Sequence, residues 1–378
     1  MNPARRASVI VNNYDYGRFL PQAIKSALAQ TWPCTEVIVV DDGSRDESRD
    51  VIACYADRVH AVLKENGGQG SAFNAGFGAS RGDIVIFLDS DDVLRPTAID
   101  QVMPFFEDSD VVKVHWPLSV IDETGRPTGQ KHPDGPLPDG DHRERLLRIG
   151  PTHSLGPPAS GNAWSRRFLT QVLPVPEELY RISADKHLLE LAPFFGVVRA
   201  IHEPQSLYRR HGMNSQLTQG LVERLHRELS FYDNYVEFLC RRLSAQGITI
   251  DVNDWKRTSW WHRQKCAIDD MAALPDADRP LILVDDGSWG HGDIDGRPRL
   301  PFLERDGLYG GQPADDATAI RELERLRRRG ASFLVFVWST FWWFDHYTGL
   351  RDYVRTNFPC LLNNQHVMVF DLRTPGGR

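Results

Sequence analysis

DIVIFLDSDD, at residues 83–92, is an apolar run that ends in three aspartates within four residues. An apolar run without a polar face is typical of a strand that helices cover on both sides. The same pattern recurs at ASVIVNNYD (7–15) and EVIVVDDGS (36–44), and a helical pattern, FLPQAIKSALAQ (19–30), separates these two runs. This alternation of strand and helix patterns predicts a parallel α/β sheet.

Further elements are predicted from the same periodicities. They are strands at 57–63, 110–115 and 197–202, helices at 164–173, 184–194 and 221–246, and a helical segment that runs to about 273. Residues 122–162 are rich in Gly, Pro and Asp, so a long loop or lid is expected there.

The last part of the chain restarts the alternation. Its predicted elements are strands at 280–286, 331–338 and 366–372 and helices at 314–329 and 347–357. The pattern predicts a second, smaller α/β domain. We therefore expect a Rossmann-like α/β domain at 1–215, a helical connector at 216–275 and a small α/β domain at 276–378.

Composition and charge narrow the class of protein. With 378 residues, the chain is long enough for two globular domains. A net charge of −7 argues against nucleic-acid binding, which needs a clustered basic surface. No apolar stretch has the length of a signal peptide or a transmembrane helix, so we expect a soluble, cytoplasmic protein. Five scattered cysteines without a CxxC pair are typical of free thiols in a reducing compartment.

The aspartates at 89–92 predict a cation site. Ligands of a parallel sheet bind at its carboxyl edge, where the polar loops after the apolar runs converge. Asp89, Asp91 and Asp92 would repel one another there, and a cation relieves that repulsion. Mg²⁺ or Mn²⁺ prefers oxygen ligands and leaves coordination positions for substrate phosphates, so a nucleotide diphosphate fits beside it. The alternative is a surface turn in which Asp92 caps the next helix.

Two segments carry a resemblance to a known family. NNYDYGRFLPQAIKSALAQTWPCTEVIVVDDGSRDES (12–48) and NGGQGSAFNAGFGASRGDIVIFLDSDD (66–92) resemble the nucleotide-sugar domain of family 2 glycosyltransferases, which adopt the GT-A fold. The resemblance extends over residues 7–215 and is densest at 7–96.

The resemblance implies a role for each polar loop. Asp41 accepts a hydrogen bond from a base N–H, whereas Asp42 fixes the turn. Asp89 or Asp91 contacts the ribose, and Asp91 or Asp92 holds the cation. The donor-binding residues implied in this way are Val11, Asn12, Asn13, Tyr14, Asp41, Gly68, Asn74, Asp89, Ser90 and Asp91.

Two more residues are assigned by the resemblance outside the dense region. Asp185, in RISADKHLLE (181–190), corresponds to the carboxylate that deprotonates the acceptor hydroxyl, although the family's usual acidic pair is reduced here to Ala184-Asp185. Its alternative role is a charge that stabilises a helix N-terminus. His211, in YRRHGMN (208–214), corresponds to a metal or phosphate ligand, and Arg209 and Arg210 are alternative phosphate ligands.

The function implied is that of an inverting, metal-dependent glycosyltransferase with Mn²⁺ or Mg²⁺ as cofactor. It would move one sugar from a UDP- or dTDP-sugar to a hydroxyl acceptor in bacterial glycan or natural-product biosynthesis. A single transfer per encounter is expected, since the QxxRW motif of processive synthases is absent. The chain could form a homo-oligomer. The alternatives are a nucleotidyltransferase and a non-catalytic nucleotide-sugar sensor or scaffold.

The C-terminal region carries two patterns without an assigned role. RPRLPFLERDGLYGGQPADDATAI (297–320) and FWWFDHY (341–347) resemble an accessory segment found with bacterial sugar-processing enzymes. The aromatic residues at 341–343 could stack on a sugar acceptor, and an aromatic domain or subunit interface is the favoured alternative. VDDGS occurs at both 40–44 and 284–288, but the segments that follow differ, which favours coincidence over duplication.

Overall fold

The computed structural model of the protein describes residues 5–151, 156–212, 220–290, 292–294 and 296–373. The chain forms two compact units. The first comprises Met1–Leu217 and Phe231–Trp255, and the second comprises Thr218–Ser230 and Lys256–Arg378. Within the ranges given above, no helix combines the length and the apolar character needed to cross a membrane.

Strands and helices alternate in the first unit. The strands are β1 (Ala7–Asn13), β2 (Thr35–Asp42), β3 (His60–Lys64), β4 (Ile84–Asp89), β5 (Val93–Leu94), β6 (Val111–His115), β7 (Leu118–Ile121), β8 (Pro127–His132), β9 (Asn162–Ser165), β10 (Val197–Ala200) and β11 (Ser206–Arg209). The α-helices are α1 (Leu20–Leu28), α2 (Ser48–Ala53), α3 (Gln69–Ala79), α4 (Ala98–Val102), α5 (Arg143–Ile149), α6 (Arg166–Val172) and α7 (Asp185–Phe195).

Seven strands form the main sheet, in the order β10-β6-β9-β4-β1-β2-β3. All of the pairings are parallel except those of β9, which runs antiparallel to both β4 and β6. Side chains alternate between the two faces, so that Val9 and Val11 of β1 pack in one core cluster and Ile10 in the other. The predicted α/β class is confirmed, and the strands that end in polar loops lie in the middle of the sheet.

Residues 122–162 contain more regular structure than the predicted loop or lid. β8 and α5 lie in this stretch, and β8 completes a second sheet of order β5-β11-β7-β8. Five of the six residues of β8, PTGQKH, are exposed. A strand without a buried face has no alternation of apolar and polar residues, which explains why the sequence pattern does not predict it. Residues 152–155, inside the same predicted loop, lie outside the described residues.

The helices of the predicted connector are divided between the two units. They are α8 (Leu221–Ser244), α9 (Val252–Thr258) and α10 (Trp260–Ala272). From Phe231 onward, α8 buries its apolar residues in a core cluster of the first unit. Leu221 and Leu225, nearer its N-terminus, pack in a core cluster of the second. The predicted boundary at 215/216 falls within 213–219, outside the described residues.

A five-stranded sheet, of order β13-β12-β16-β18-β17, organises the second unit. Its elements, besides α10, are β12 (Leu281–Val284), β13 (Arg299–Pro301), β14 (Glu304–Arg305), β15 (Leu308–Tyr309), α11 (Asp316–Arg328), β16 (Phe333–Val337), α12 (Trp343–His346), α13 (Thr348–Asn357), β17 (Cys360–Asn363) and β18 (Val367–Asp371). β12 is parallel to β13 and β16, whereas β18 is antiparallel to β16 and β17. A second α/β arrangement is therefore present.

Candidate functional site

A cavity of about 530 Å³ opens at the carboxyl edge of the main sheet. The loops that follow β1, β2 and β4, the start of α3 and the segment before α7 line this cavity. The lining residues are Asn12, Asn13, Tyr14, Asp15, Tyr16, Asp42, Asn66, Gly68, Gln69, Ala72, Asp89, Ser90, Asp91, Pro158, Arg181, Ile182, Ser183, Asp185 and Tyr208. Residues far apart in the sequence thus share one concave site.

The cavity brings together most of the residues predicted from the sequence. Those that line it are Asn12, Asn13, Tyr14, Gly68, Asp89, Ser90, Asp91 and Asp185. The others lie behind its wall or elsewhere: Val11, Asp41, Asn74, Asp92 and His211. Val11 is fully buried in the core, and Asn74 makes two hydrogen bonds to the backbone of Val175, at 3.0 and 2.9 Å. These locations do not test the predicted roles, which stay predictions.

Asp89 lies where several carboxylates meet. Burial raises the pKa of Asp89 to about 7, and the nearby carboxylates of Asp91 and Asp185 add to the shift. Two side-chain amides oppose this shift, because Asn12 Nδ2 and Gln69 Nε2 donate to Asp89 Oδ1 at 3.3 and 3.2 Å. The site therefore concentrates negative charge in poorly solvated surroundings, where a bound cation would be stabilised.

Asp91 and Asp92 have different surroundings although they are adjacent. Asp91 Oδ2 lies 3.0 Å from Nε2 of His211, whose side chain is fully buried. Asp92 does not line the cavity, and its Oδ1 accepts from the backbone N–H of Arg209 at 2.9 Å. Burial raises the pKa of Asp92, and the carboxylates of Asp91 and Asp89 raise it further. Of the two candidate ligands in this pair, only Asp91 lines the cavity.

Arg209 holds the loop that carries these aspartates. Its Nε donates to the backbone oxygen of Asp91 at 2.9 Å, and its guanidinium also donates to Gln22 Oε1 at 2.6 Å. The side chain is almost fully buried. Arg210 is exposed and donates to Gln130 Oε1 at 2.7 Å. Neither arginine lines the cavity, so neither is placed as a phosphate ligand there.

The two aspartates of VDDGS face different partners. Asp41 is fully buried and accepts hydrogen bonds from Asn13 Nδ2 at 3.2 Å and from Arg49 Nε at 2.9 Å. Asp42 lines the cavity and accepts from the backbone N–H groups of Gly67 and Gly68 at 3.0 and 2.7 Å. Asp42 therefore fixes the glycine turn, while Asp41 orients Asn13 at the wall of the cavity.

Gln69 links the acidic loop to the start of α7. Besides its bond to Asp89, its Oε1 accepts the backbone N–H of Ala184 at 2.9 Å, directly before Asp185. Gln69 is the first residue of α3, so a single amide side chain ties three elements together. Burial raises the pKa of Asp185, which makes its carboxylate a stronger base than a solvated aspartate.

The residues at this edge suit a divalent cation only with help from a ligand. Within the described ranges, no three or more His, Cys, Asp and Glu side chains are grouped so that they could hold a metal ion by themselves. Asp91 offers a carboxylate oxygen at the cavity, a ligand type that Mn²⁺ accepts, and His211 Nε2 contacts this carboxylate from outside the lining. A diphosphate and water would have to complete the shell, as is usual for Mg²⁺ beside nucleotides. The chemistry of this donor set therefore fits a cation that binds together with a nucleotide diphosphate.

Comparison with known proteins decides the family. The model of the glycosyl transferase family 2 matches residues 8–171. An uncharacterized glycosyltransferase of Nostoc sp. is 34% identical over 273 residues, which cover 69% of this chain and 84% of that protein. The chain belongs to glycosyltransferase family 2. The family and the GT-A fold implied by the sequence resemblance are thus confirmed, and the protein is a glycosyltransferase.

Other similar proteins are more distant from this glycosyltransferase. An uncharacterized glycosyltransferase of Escherichia coli is 28% identical over 258 residues, which cover 63% of this chain and 70% of that protein. The crystal structure of S. aureus TarS 1-349 in complex with UDP matches with a TM-score of 0.43 and 18% identity. That match covers 71% of this chain and 81% of the TarS chain.

The glycine-rich loop at residues 67–70 of the glycosyltransferase does not present its backbone N–H groups to a phosphate. Its N–H groups are already used: those of Gly67 and Gly68 bind Asp42, and those of Gln69 and Gly70 donate to the backbone oxygens of Arg181 and Tyr180, both at 2.8 Å. A nucleotidyltransferase would need such donors for its triphosphate. The arrangement gives no support to that alternative.

Sequence reasoning missed several polar residues that line the cavity, among them Tyr16, Gln69, Arg181 and Tyr208. Arg181 supplies a cation at the cavity wall, where it donates to Asn66 Oδ1 at 2.6 Å. Burial and the acidic loop raise the pKa of Tyr16 to about 12, so its hydroxyl stays a hydrogen-bond donor. All four lie inside the segments quoted for the resemblance, but no role was assigned to them, because their place at the cavity depends on the tertiary fold.

Proposed function

We propose that this glycosyltransferase is inverting and cation-dependent and that it moves one sugar from a UDP- or dTDP-sugar to a hydroxyl acceptor. The observation that carries the proposal is the meeting of Asp89, Asp91 and Asp185 in one cavity. Its volume of about 530 Å³ suits a nucleotide sugar, since small-molecule sites have volumes of roughly 300–1,000 Å³.

The nucleoside would bind at the ends of β1 and β2. Tyr14 is 42% exposed and lines the cavity, so its ring offers a face on which a base can stack. Asn12 and Asn13 add amide groups beside it. Asp41 would act through Asn13, whose amide it orients, rather than by touching the base. Asp89 would accept a hydrogen bond from the ribose.

The diphosphate would lie between Asp91 and Arg181. Asp91, with His211 behind it, would hold Mn²⁺ or Mg²⁺ at the phosphate oxygens. When bound, the cation supplies a Lewis acid that neutralises the charge of the departing diphosphate. Arg181 carries a positive charge in the lining of the same cavity and would bind a phosphate oxygen directly.

Asp185 would accept the proton of the acceptor hydroxyl. It lines the same cavity as the acidic loop, and burial raises its pKa. The deprotonating carboxylate and the leaving diphosphate would lie on opposite sides of the anomeric carbon. The acceptor oxygen then attacks as the bond to the diphosphate breaks, and this single displacement inverts the configuration of that carbon.

An assay of donor hydrolysis tests the proposal without knowledge of the acceptor. Release of nucleoside diphosphate would be measured for a panel of UDP- and dTDP-sugars, with Mn²⁺ and with EDTA. The proposal expects release that needs the cation and that Asp91→Asn abolishes. Release at an equal rate in EDTA would contradict it, and binding of the donor without any turnover would favour the sensor alternative.

A further inference from the structure

The second unit presents a carboxyl edge of its own. β13, β12 and β16 are parallel neighbours, so their carboxyl ends lie at the same edge of the sheet. The segments that follow them are 302–309, 285–289 and 338–343 respectively. In open α/β sheets this edge is the one where ligands bind, because the loops converge there.

Asp286 joins these three segments. Its Oδ1 accepts hydrogen bonds from Trp343 Nε1 at 3.2 Å and from Tyr309 Oη at 3.4 Å, each from a different segment. The residue adopts a left-handed backbone with φ of 51°, which is uncommon for a residue other than glycine. Such a conformation persists where the surrounding structure enforces it, and it is frequent at ligand sites. Asp286 is only partly buried.

The two aspartates of each VDDGS loop have similar surroundings in the two units. In each, the first aspartate is buried and accepts backbone N–H groups of its own loop: Ser44 donates to Asp41 at 3.2 Å, and Trp289 donates to Asp285 at 3.0 Å. In the first unit the second aspartate, Asp42, lines the cavity. Asp286 occupies the corresponding position in the second unit.

An exposed indole directly precedes Trp343, the tryptophan that donates to this carboxylate. Trp342 is 39% exposed, and its ring centroid lies 6.0 Å from that of Trp343 and 5.7 Å from that of His346. Trp343 itself is fully buried in the core of the unit. The FWWFDHY segment therefore divides into a core part and an exposed part, and Trp342 and His346 belong to the exposed part.

We propose that Asp286, Tyr309, Trp342 and His346 form a saccharide-binding edge that takes a neutral oligosaccharide. The C–H face of a pyranose would stack on Trp342, as aromatic faces favour apolar surfaces. A carboxylate accepts hydrogen bonds from sugar hydroxyls, and Asp286 is such a group at this edge. The inference rests on contacts within the second unit and does not depend on the donor chemistry of the first.

A printed array of neutral oligosaccharides, probed with the full chain, tests this edge. We expect the wild type to bind a subset of the glycans, Trp342→Ala to lower that signal about 2- to 10-fold and Trp342→Phe to retain part of it. Leu361→Ala is the matched control and should bind as the wild type does. Leu361 is 47% exposed and lies on β17, at the opposite end of the sheet from β13.

Asp286→Asn should also weaken glycan binding. Because Asp286 links three segments by hydrogen bonds, the thermal unfolding of this variant is measured as well. Trp342 is exposed, so Trp342→Ala tests the edge even where Asp286→Asn fails to fold. The inference would be overturned if the wild type binds no glycan, or if Trp342→Ala binds glycans as well as the wild type does. A third outcome would also overturn it. If sedimentation shows that Trp342→Ala loses a dimer while its glycan binding is unchanged, Trp342 serves an interface between copies. Donor hydrolysis by Trp342→Ala should equal that of the wild type, which separates this test from that of the transferase site.

Discussion

Nε2 of His211 lies 3.0 Å from Oδ2 of Asp91, although 120 residues separate the two in the sequence. The imidazole packs against the rings of Phe19 and Tyr16, with centroid distances of 5.0 and 5.3 Å. Aromatic packing therefore fixes the imidazole, and the imidazole in turn fixes the carboxylate that lines the cavity. The proposed cation site depends on this pair.

Replacement of His211 by Ala should weaken binding of Mn²⁺ in the presence of UDP. The expected loss is about 10- to 100-fold, the range found when a group that orients or supports a metal ligand is removed. The measurement is a titration of free Mn²⁺ by electron paramagnetic resonance. His202→Ala removes an exposed histidine of the same unit and should have no effect. Unchanged Mn²⁺ affinity in His211→Ala would separate His211 from the cation.

Asp185→Asn should lower the rate of sugar transfer by about 10²- to 10⁴-fold, the contribution typical of a general base. Binding of UDP with Mn²⁺ should be unchanged. Because burial raises the pKa of Asp185 above its usual value of 3.8, the wild-type rate should fall with decreasing pH as this carboxylate becomes protonated, at a pH above 3.8. The variant should lack that acidic limb. Glu178→Gln alters an exposed carboxylate and should keep the wild-type profile.

The bonds of Gln69 can be tested one at a time. Gln69→Glu keeps an acceptor for the N–H of Ala184 but replaces the donor to Asp89 by a repelling carboxylate. We expect weaker donor binding from this variant. Gln69→Ala removes both bonds and should cost about 1–3 kcal/mol of unfolding free energy, as for other polar groups left without partners. Urea unfolding and UDP titration measure the two effects. Equal donor binding by Gln69→Glu and the wild type would contradict a role for this amide.

Gly68→Ala should destabilise the first unit. A Cβ at this position would lie 2.5 Å from Cα of Arg181, and φ is +88°. The expected loss exceeds about 1 kcal/mol, because alanine fits neither the backbone conformation nor the space. Gly78→Ala is the control on the same helix: its Cβ meets no atom within 4 Å, and it should gain roughly 0.5–1 kcal/mol from helix propensity. Similar unfolding free energies for the two variants would refute this account of the α3 start.

The central strands follow from the sequence because burial determines their composition. β1 and β4 are buried on both faces and therefore read as continuous apolar runs that end in polar loops. β8 is exposed, and β5 and β15 have two residues each. Pairing with neighbouring strands determines that such elements form. They are too short or too exposed to show a hydrophobic periodicity in the sequence. The sharing of α8 between units likewise depends on which core buries each part of one amphipathic stripe.

The acidic loops of the site were predictable, and their partners were not. Asp89 and Asp91 stand in a local motif whose charge density is visible in the sequence alone. Which of Asp41 and Asp42 faces the cavity depends on the end of β2, where neighbouring side chains point in opposite directions. Gln69 and Arg181 meet the motif through contacts over many residues, so no spacing marks them.

Calorimetric titration of the protein with UDP, with and without Mn²⁺, tests most directly whether the cavity binds donor and cation together. We predict that tight UDP binding requires Mn²⁺. We also predict that Asp91→Asn binds UDP weakly both with and without Mn²⁺. UDP that binds equally well without Mn²⁺, or equally well to Asp91→Asn, would contradict the proposed site.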